Sequence, residues 1–554
     1  MKWQIKAGEK RLAVAPEIPD YERDIHDPFK LRDMAKAVER ILTAVKNNER
    51  ITIFGDYDAD GVPATALLAT VFTWIGFDNF DIYIPDRHNE AFGLSNEAIK
   101  KFSDRGTKLI ITVDCGITDV EEVKLANDLG LEMIITDHHL VPKELPPALA
   151  VIDPKRADCN YPNKNLCGTG VAYKLAQALL AHVRDTECPS GHSVSKWPPA
   201  GREKSLLDLV ALATVADMVP IVGENRALTH FGLIILAMNR RPGLAALARV
   251  LRLNPRHITE DDIGFSLGPR INSASRMSHA SEAYELLMSQ DTTLADKIAK
   301  DLEARNTARR RSVDEILATA NNLISQQGEV EGRGVLVVGE PDFSLGVLGL
   351  TASRLVEKYK KPVFVWGVNG SGEVKGSCRS DGSINVVNLM AEAGGREYFN
   401  DFGGHVMAGG FSLPLGRETE LGERLNIAYA DLDKDEVERT IFYDQALVLD
   451  EITDEFYNHL RQYGPFGPEN KKPLFWLTGL RISEVKMFGN GGLHLELKFK
   501  DLTGRVIPAI GFFFNKDLVF TPGERVDLLA NLEKSHFRYR PELRLRIVDI
   551  RKVG

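Results

Sequence analysis

The 554-residue chain has only five cysteines, Cys115, Cys159, Cys167, Cys188 and Cys378. They are too few and too scattered for a disulfide framework, and no CxxC pair offers a structural zinc its usual ligands. Long apolar runs are missing too. No stretch approaches the roughly 20 consecutive apolar residues of a membrane span, so no membrane role is expected. The opening residues, MKWQIKAGEKRLAVAPEIPD, lack the apolar run and small-residue cleavage site of a secretory signal, and a cytoplasmic location is the expectation. No Gly-Lys dipeptide occurs, which removes the Walker A loop and with it any support for ATP-driven activity. Positive charge is not in excess. The formal net charge of −9 argues against attraction of nucleic acid by the molecule as a whole, while leaving room for a local basic groove.

What is present is the composition of an ordinary globular protein, at a length that favours three or four domains. Between residues 50 and 155 the apolar runs ITIFG, KLIITVD, LEMIITD and ALAVID are each followed by a polar loop, the pattern of a parallel sheet with crossover helices. Residues 118–130 fit one such helix, with Thr118 as its cap. Residues 186–204 are rich in Pro, Gly and Ser and form a surface loop between two helices. Residues 281–327 contain neither Gly nor Pro and predict a helical connector, with a break near Asp291. A second, smaller α/β pattern occupies residues 333–430. From about residue 438 short alternating runs such as LHLELKFKD and RVIPAIGFFF predict an all-β barrel, a five-stranded OB-type barrel being one candidate.

Chemistry concentrates at the ends of the predicted strands, where ligands of parallel sheets collect. GDYDADG (residues 55–61) sets Asp56, Asp58 and Asp60 at alternate positions between a strand and a helix. Such a loop is either a solvated turn or a seat for a divalent cation, because neighbouring carboxylates repel unless a hard ion compensates them. VDCG adds Asp114 and TDHH adds Asp137, His138 and His139. Acidic and imidazole groups at successive strand ends favour the metal reading, and the mixed set favours Mn²⁺ over Ca²⁺. Asp217 ends the apolar run LLDLVALATVADMVP, where a charge is costly unless paired; an ordinary helix-end Asp is the alternative. GFSLG (residues 264–268) matches the GxSxG pattern of serine hydrolases, but Pro269 follows at once and no strand-turn-helix surrounds it.

GDYDADG, VDCG, TDHH and ATVADMVP resemble the DHH phosphoesterase superfamily. The resemblance extends to IPDRHNEAFGLS, VIDPKRADCNYP, CGTGVAYKL and GPRINSASRM, and to SCRSDG and FGGHVMAGGF of its DHH-associated domain. The whole set is similar to the branch that degrades single-stranded DNA exonucleolytically in the 5′ to 3′ direction, over roughly residues 45–550. The resemblance implies an α/β architecture in five parts: an N-terminal segment (1–48), a parallel-sheet catalytic DHH domain (49–280), the helical connector (281–330), a smaller α/β DHH-associated substrate-binding domain (331–437) and an OB-type nucleic-acid-binding barrel (438–554). It makes Asp58, Asp60, Asp114, His138 and Asp217 ligands of two Mn²⁺ or Mg²⁺ ions, with Asp56 beside or just behind them and Asp114 as the bridge. His139 is then the group that positions or protonates around the reacting phosphate. Arg87, Arg270, Asn272, Arg276, Arg379 and His405 become substrate contacts, since guanidinium forks match phosphate oxygens. For each Arg a surface ion pair is the plainer role. Gly403 and Gly404 either let backbone approach a phosphate or make a tight turn.

The implied product is a 5′-mononucleotide, and the implied setting is DNA repair and recombination, with a single-strand-binding protein or a helicase as protein partners. KSHFRYRPELRLRIVDIRK near the end carries seven Lys or Arg against two acidic residues, with Phe537 and Tyr539 interleaved. That composition suits a single strand, or else the charged outer face of a β-strand. Pro63, the AFGLS segment, Ser275, Ser344 and Leu345 depart from the branch's pattern on the substrate side. Two further functions stay open at this level: a phosphodiesterase of short oligonucleotides or cyclic dinucleotides, whose members usually lack the barrel, and a non-catalytic DNA-binding scaffold.

Overall fold

Strongly apolar five-residue strands that are buried on both faces need helices above and below them, and this decides the first part of the fold. In the computed structural model, which describes residues 2–5, 12, 16–87, 90, 93–185, 198–434, 440–489, 492–512, 514, 518–535 and 541–553, five strands form an all-parallel sheet. Their spatial order is Phe80–Tyr83, Ile51–Gly55, Leu109–Val113, Glu132–Thr136 and Ala150–Ile152. In chain order this is 2-1-3-4-5, so the direction of winding reverses between Ile51–Gly55 and Leu109–Val113. Open α/β sheets bind ligands at the carboxyl ends of the strands beside such a switch point. Asp56 and Asp114 are the residues that leave those two strands.

The helix Gly61–Trp74 is apolar around its whole circumference and accordingly buried, packed on Gly168–Asp185 and Leu207–Ala216. Pro63 sits in its first turn, where the missing N–H has no intrahelical partner to lose. The crossover helix runs Val120–Asp128, and Asp119 rather than Thr118 occupies the capping position; the Thr118 hydroxyl bonds to the Asp119 carboxylate instead. The helix predicted over 281–327 is two helices, Ser281–Met288 and Thr292–Gln326, parted at Asp291, whose carboxylate accepts the Thr293 N–H. Residues 186–197 of the Pro/Gly/Ser-rich loop lie outside the described residues. Cys115, Cys159, Cys167 and Cys378 are free and buried.

Contacts divide the chain into two units: Met1–Asn272, Ala280–Lys300 and Thr440–Gly554 form one, Ser273–His279 and Asp301–Arg439 the other. The second unit is built on a mixed sheet ordered Asp401–His405, Ala408–Leu413, Val374–Arg379, Val363–Val368 and Leu336–Gly339, parallel only in its last pair. The first unit contains, besides the parallel sheet, a barrel of Phe475–Phe488, His494–Lys500, Val506–Gly511, Glu542–Lys552 and Arg525–Ser535 that closes back onto Phe475–Phe488. Inward Leu, Ile, Val and Phe alternate with polar residues along its strands, as a small closed barrel requires. The segment preceding the barrel docks on the α/β part: the Ile221 N–H bonds to the Pro468 carbonyl, and Lys472 pairs with Asp261.

A buried ion pair anchors the helix Gly168–Asp185. Lys174 Nζ lies 2.7 Å from Glu224, with neither side chain exposed, and Glu224 also accepts from the Tyr161 hydroxyl and the His26 N–H. Burial lowers the Lys174 pKa and raises that of Tyr161. Because removing one partner strands a buried charge, Glu224→Ala should lose about 3–5 kcal/mol of stability by denaturant unfolding, more than an ordinary buried substitution.

Candidate metal centre

Four neighbouring strands of the parallel sheet are each followed by an aspartate: Asp56, Asp114, Asp137 and Asp153. The strands are hydrogen-bonded in register, so these carboxylates meet along one edge of the sheet. Asp114 is held there in a left-handed backbone conformation (φ 65°), rare for a residue with a side chain, with its N–H bonded to the Thr136 carbonyl. The helix Gly168–Asp185 begins against the same carboxylate. A Cβ on Gly168 would stand 2.3 Å from Asp114 Oδ1, so only glycine fits.

The donor atoms converge in three overlapping groups, each within 4.8 Å: Asp56, Asp58 and Asp114; Asp60, His138 and Asp217; and Asp114, His138 and His139. Asp114 takes part in both a purely carboxylate group and a His-containing one. His138 Nε2 lies 3.2 Å from Asp114, 3.7 Å from Asp217 and 3.8 Å from Asp60. None of these approaches is aligned as a hydrogen bond, and Asp56 Oδ1, Asp114 Oδ1 and His138 Nδ1 are buried without a hydrogen-bond partner. Buried polar atoms are rarely left so. Asp217 caps the C-terminus of Leu207–Ala216 and reaches the cluster from there.

Burial and mutual repulsion act together on the acids. Asp56 is pushed well up by burial and by Asp58, and Asp114 by burial and by Asp60, Asp58 and Asp56. Burial, then Asp60 and Asp58, raise Asp217 to about 8. Burial lowers the His138 pKa. Hard divalent cations relieve this repulsion and accept carboxylate oxygens, and imidazole nitrogen extends the preference to Mn²⁺; the donor set therefore fits Mn²⁺ or Mg²⁺.

Other residues hold the donors in place. Asp58 Oδ1 accepts the N–H groups of Asp60 and Gly61, and the Asp60 carboxylate accepts those of Gly168 and Thr169 at a helix N-terminus. Asn272 accepts the Ala59 N–H. Asp137 is the orienting residue that sequence reasoning left without a role. Its Oδ1 accepts from the backbone of His138 and His139 and lies 2.8 Å from His139 Nδ1, while Oδ2 accepts the Ile117 N–H. This fixes the His139 ring with Nε2 directed away from Asp137. Burial opposes protonation of His139, but Asp137 and the nearby carboxylates prevail and raise it to about 9. Lys155 donates to the His138 carbonyl, and burial raises Asp153 to about 7. Both residues lie in the VIDPK segment, just past the fifth strand of the parallel sheet.

The predicted substrate contacts do not all join this cluster. The Arg87 guanidinium lies 4.9 Å from the Tyr57 ring, between the motif carboxylates in sequence. Arg270 is buried and donates to the carbonyls of Phe265 and Ser266, bracing a π-helical turn, Ile263–Leu267, which contains most of the GFSLG stretch. In the second unit Arg276 donates to the Gly346 carbonyl, and the Arg379 guanidinium lies so close to Gly349 that a Cβ there would be 2.9 Å away. Both arginines thus meet the segment that starts at the departures Ser344 and Leu345. Ser275 is buried in Gly268–Met277. His405 is exposed at a strand end, and Gly404 (φ 137°) packs against the Ala408 carbonyl, which accounts for that glycine by the hairpin alone. Phe537, Tyr539 and the start of the AFGLS segment lie outside the described residues. Of the basic groups near the C-terminus, Arg544 and Lys552 pair with Glu533 and Glu524.

Models of three families match: the DHH family N-terminal domain over residues 50–214, the DHHA1 domain over 332–430 and the RecJ OB domain over 443–549. The single-stranded-DNA-specific exonuclease RecJ of Dickeya dadantii is 34% identical over 537 residues, covering 95% of this chain and 91% of that one. The chain belongs to the RecJ family. The RecJ of Bacillus subtilis is also 34% identical, and this chain spans 64% of its length. Crystal structures of Thermus thermophilus RecJ with Mn²⁺ and with Mg²⁺ superpose with TM-scores of 0.77 and 0.72 at 27% and 26% identity, the former covering 95% of this chain and 72% of that one. The RecJ match bears out the fold class: a parallel-sheet DHH domain, a DHHA1 domain and an OB barrel.

Asp217, raised to about 8, keeps a proton in the folded chain that the unfolded chain releases above about pH 4. The folded state then binds more protons than the unfolded one, so the metal-free protein should lose stability as pH rises from about 4 to about 8. Calorimetry should show Mn²⁺ or Mg²⁺ raising the melting temperature more at pH 8 than at pH 5. Asp114→Asn should melt higher than wild type without metal, by ~1 °C for each kcal/mol of repulsion removed in a chain of this length, and respond less to the ion.

Proposed function

We propose that the chain is a metal-dependent 5′ to 3′ exonuclease that hydrolyses single-stranded DNA to 5′-mononucleotides in DNA repair and recombination. The observation that carries this is the convergence of Asp56, Asp58, Asp60, Asp114, His138, His139 and Asp217 at the switch point of the parallel sheet, in a member of the RecJ family. Mn²⁺ or Mg²⁺ held by Asp58, Asp60, Asp114, His138 and Asp217, with Asp56 alongside, supplies Lewis-acid polarisation of phosphate oxygens and nucleophilic water at neutral pH. His139, held through Nδ1 by Asp137 and protonated at neutral pH, gives its Nε2 proton to the departing 3′ oxygen of the terminal nucleotide. Arg87, Arg270, Arg276, Arg379, Asn272 and His405 are the substrate-binding residues of this reading, directly or through the loops they brace.

A polymeric substrate is favoured over a dinucleotide by the barrel and its surface. The Arg546 guanidinium lies 5.7 Å from the Phe265 ring and 4.7 Å from Phe512, and His494 stands edge-on to Phe512 at 5.2 Å and tilted against Phe488 at 5.1 Å. These flat groups run from the π-helical turn across the barrel, a surface suited to the faces of successive bases. Among the described residues no helix is long and apolar enough to cross a membrane. The work belongs to the cytoplasm, on strands exposed by a helicase or covered by a single-strand-binding protein.

With Mn²⁺, the protein should shorten single-stranded DNA from its 5′ end, release mononucleotides and spare blunt duplex. Asp114→Ala should lower kcat by on the order of 10²-fold or more. Absence of any metal-dependent cleavage, with DNA binding retained, would replace the nuclease by a scaffold. Arg546→Ala should weaken binding of a long oligonucleotide by roughly 5-fold or more while leaving dinucleotide turnover unchanged, as loss of a stacking group does.

A further inference from the structure

Exposed large apolar side chains in the α/β part of the first unit are not scattered evenly. Among the described residues between 50 and 280, the three most exposed are Met218 at 71%, Leu140 at 67% and Phe265 at 64%; the next, Met238, is at 47%. Two of the three are next in sequence to cluster residues, and the third lies on a turn packed against the helix that carries one. Leu140 follows His139, and Met218 follows Asp217. Phe265 sits on the π-helical turn that packs against the helix ending at Asp217, where Gly268 faces Ala216 and Gly264 faces Val215. π-Helical turns are characteristic of functional sites.

Met218 carries a second cost. It occupies the position just past the end of Leu207–Ala216 and its cap, in the left-handed conformation (φ 59°), with its N–H bonded to the Val215 carbonyl. Glycine is the usual occupant of that position, because a Cβ is strained there. A side chain exposed to 71% recovers little of that strain by packing. Phe265, by contrast, is braced: the Arg270 guanidinium donates to its carbonyl at 3.3 Å and to that of Ser266 at 3.2 Å. The chain thus keeps one strained and one braced apolar group at the edge of a charged site.

We infer that Leu140, Met218 and Phe265 form an apolar rim that grips the bases of the strand on either side of the scissile phosphate. The occupant is a flat, largely apolar surface joined to a phosphate, which is what a nucleotide presents beside a divalent cation. Contact with base faces carries no hydrogen-bond code, so the rim holds any sequence in register while the carboxylates and His139 act on the linkage. These are positioning residues, and the inference rests on the nuclease reading above.

The test compares a fluorescent oligothymidylate with the same oligomer carrying abasic sites at its first three positions, by equilibrium binding and by kcat/KM with Mn²⁺. Wild type should prefer the intact oligomer by roughly 5- to 100-fold. Met218→Gly, Leu140→Ser and Phe265→Ser should each reduce that ratio several-fold, and should keep the Mn²⁺-induced rise in melting temperature. Met218→Gly should melt at or above the wild-type temperature. An unchanged ratio in all three variants, or equal losses on intact and abasic oligomers, would overturn the rim. Binding that discriminates as expected without cleavage would instead overturn the nuclease reading and leave the rim standing.

Discussion

Repulsion within one buried cluster organises much of this molecule. Five carboxylates, Asp56, Asp58, Asp60, Asp114 and Asp217, and two imidazoles share a space at the edge of a parallel sheet. Taking several like charges out of water is costly unless each is neutralised or paired. The fold meets that cost in two ways. Backbone N–H groups serve some oxygens: those of Asp60 and Gly61 bond to Asp58, and those of Gly168 and Thr169 bond to Asp60. The oxygens left over, on Asp56 and Asp114, lack donors and remain for a cation. Stability and cation binding are therefore opposite sides of one electrostatic balance.

The neighbouring chemistry derives from the same crowding. Burial acts to raise the Asp137 carboxyl, yet its bond to His139 and then the Ile117 N–H outweigh burial and keep it below the ordinary value. It remains an anion in a place where Asp114 and Asp217 are driven toward the neutral form, and so can hold His139 as a cation. Adjacent acids with opposed pKa shifts mark a division of roles. The helix Gly168–Asp185 ties the arrangement down from the other side, its N-terminus on Asp60 and its middle fixed by the Lys174–Glu224 pair.

The strand-end acids were legible because a parallel sheet leaves a strong trace: ITIFG, KLIITVD and LEMIITD are continuous apolar runs, and the residues at their carboxyl ends must lie at one edge. Asp217 had no such trace. It arrives from a helix end far along the chain, and only the family pattern singled it out. Asp137 was visible in TDHH but its purpose was not, since orientation depends on four hydrogen bonds that no spacing reveals. Gly168 is a similar case, because its need for glycine comes from Asp114, 54 positions earlier in the sequence. The capping of Val120–Asp128 shows the ordinary imprecision of local rules, with Thr118 and Asp119 both able to cap and tertiary contacts choosing between them.

The basic C-terminal stretch shows how charge counted along a sequence can mislead about charge available in space. Arg544 pairs with Glu533 on the adjacent strand and Lys552 with Glu524 just before it, so part of the apparent positive charge is already matched by neighbouring acids. Arg546 also lies 3.6 Å from Glu533, yet its guanidinium faces the rings of Phe265 and Phe512. A protein of net charge −9 cannot rely on long-range attraction of a polyanion. In the nuclease reading proposed above, the means of holding a strand are short-ranged: flat groups on the barrel, an apolar edge at the cluster and cations held among carboxylates. That combination suits a single strand, whose bases are free to stack, and disfavours a duplex, whose bases are already stacked on one another.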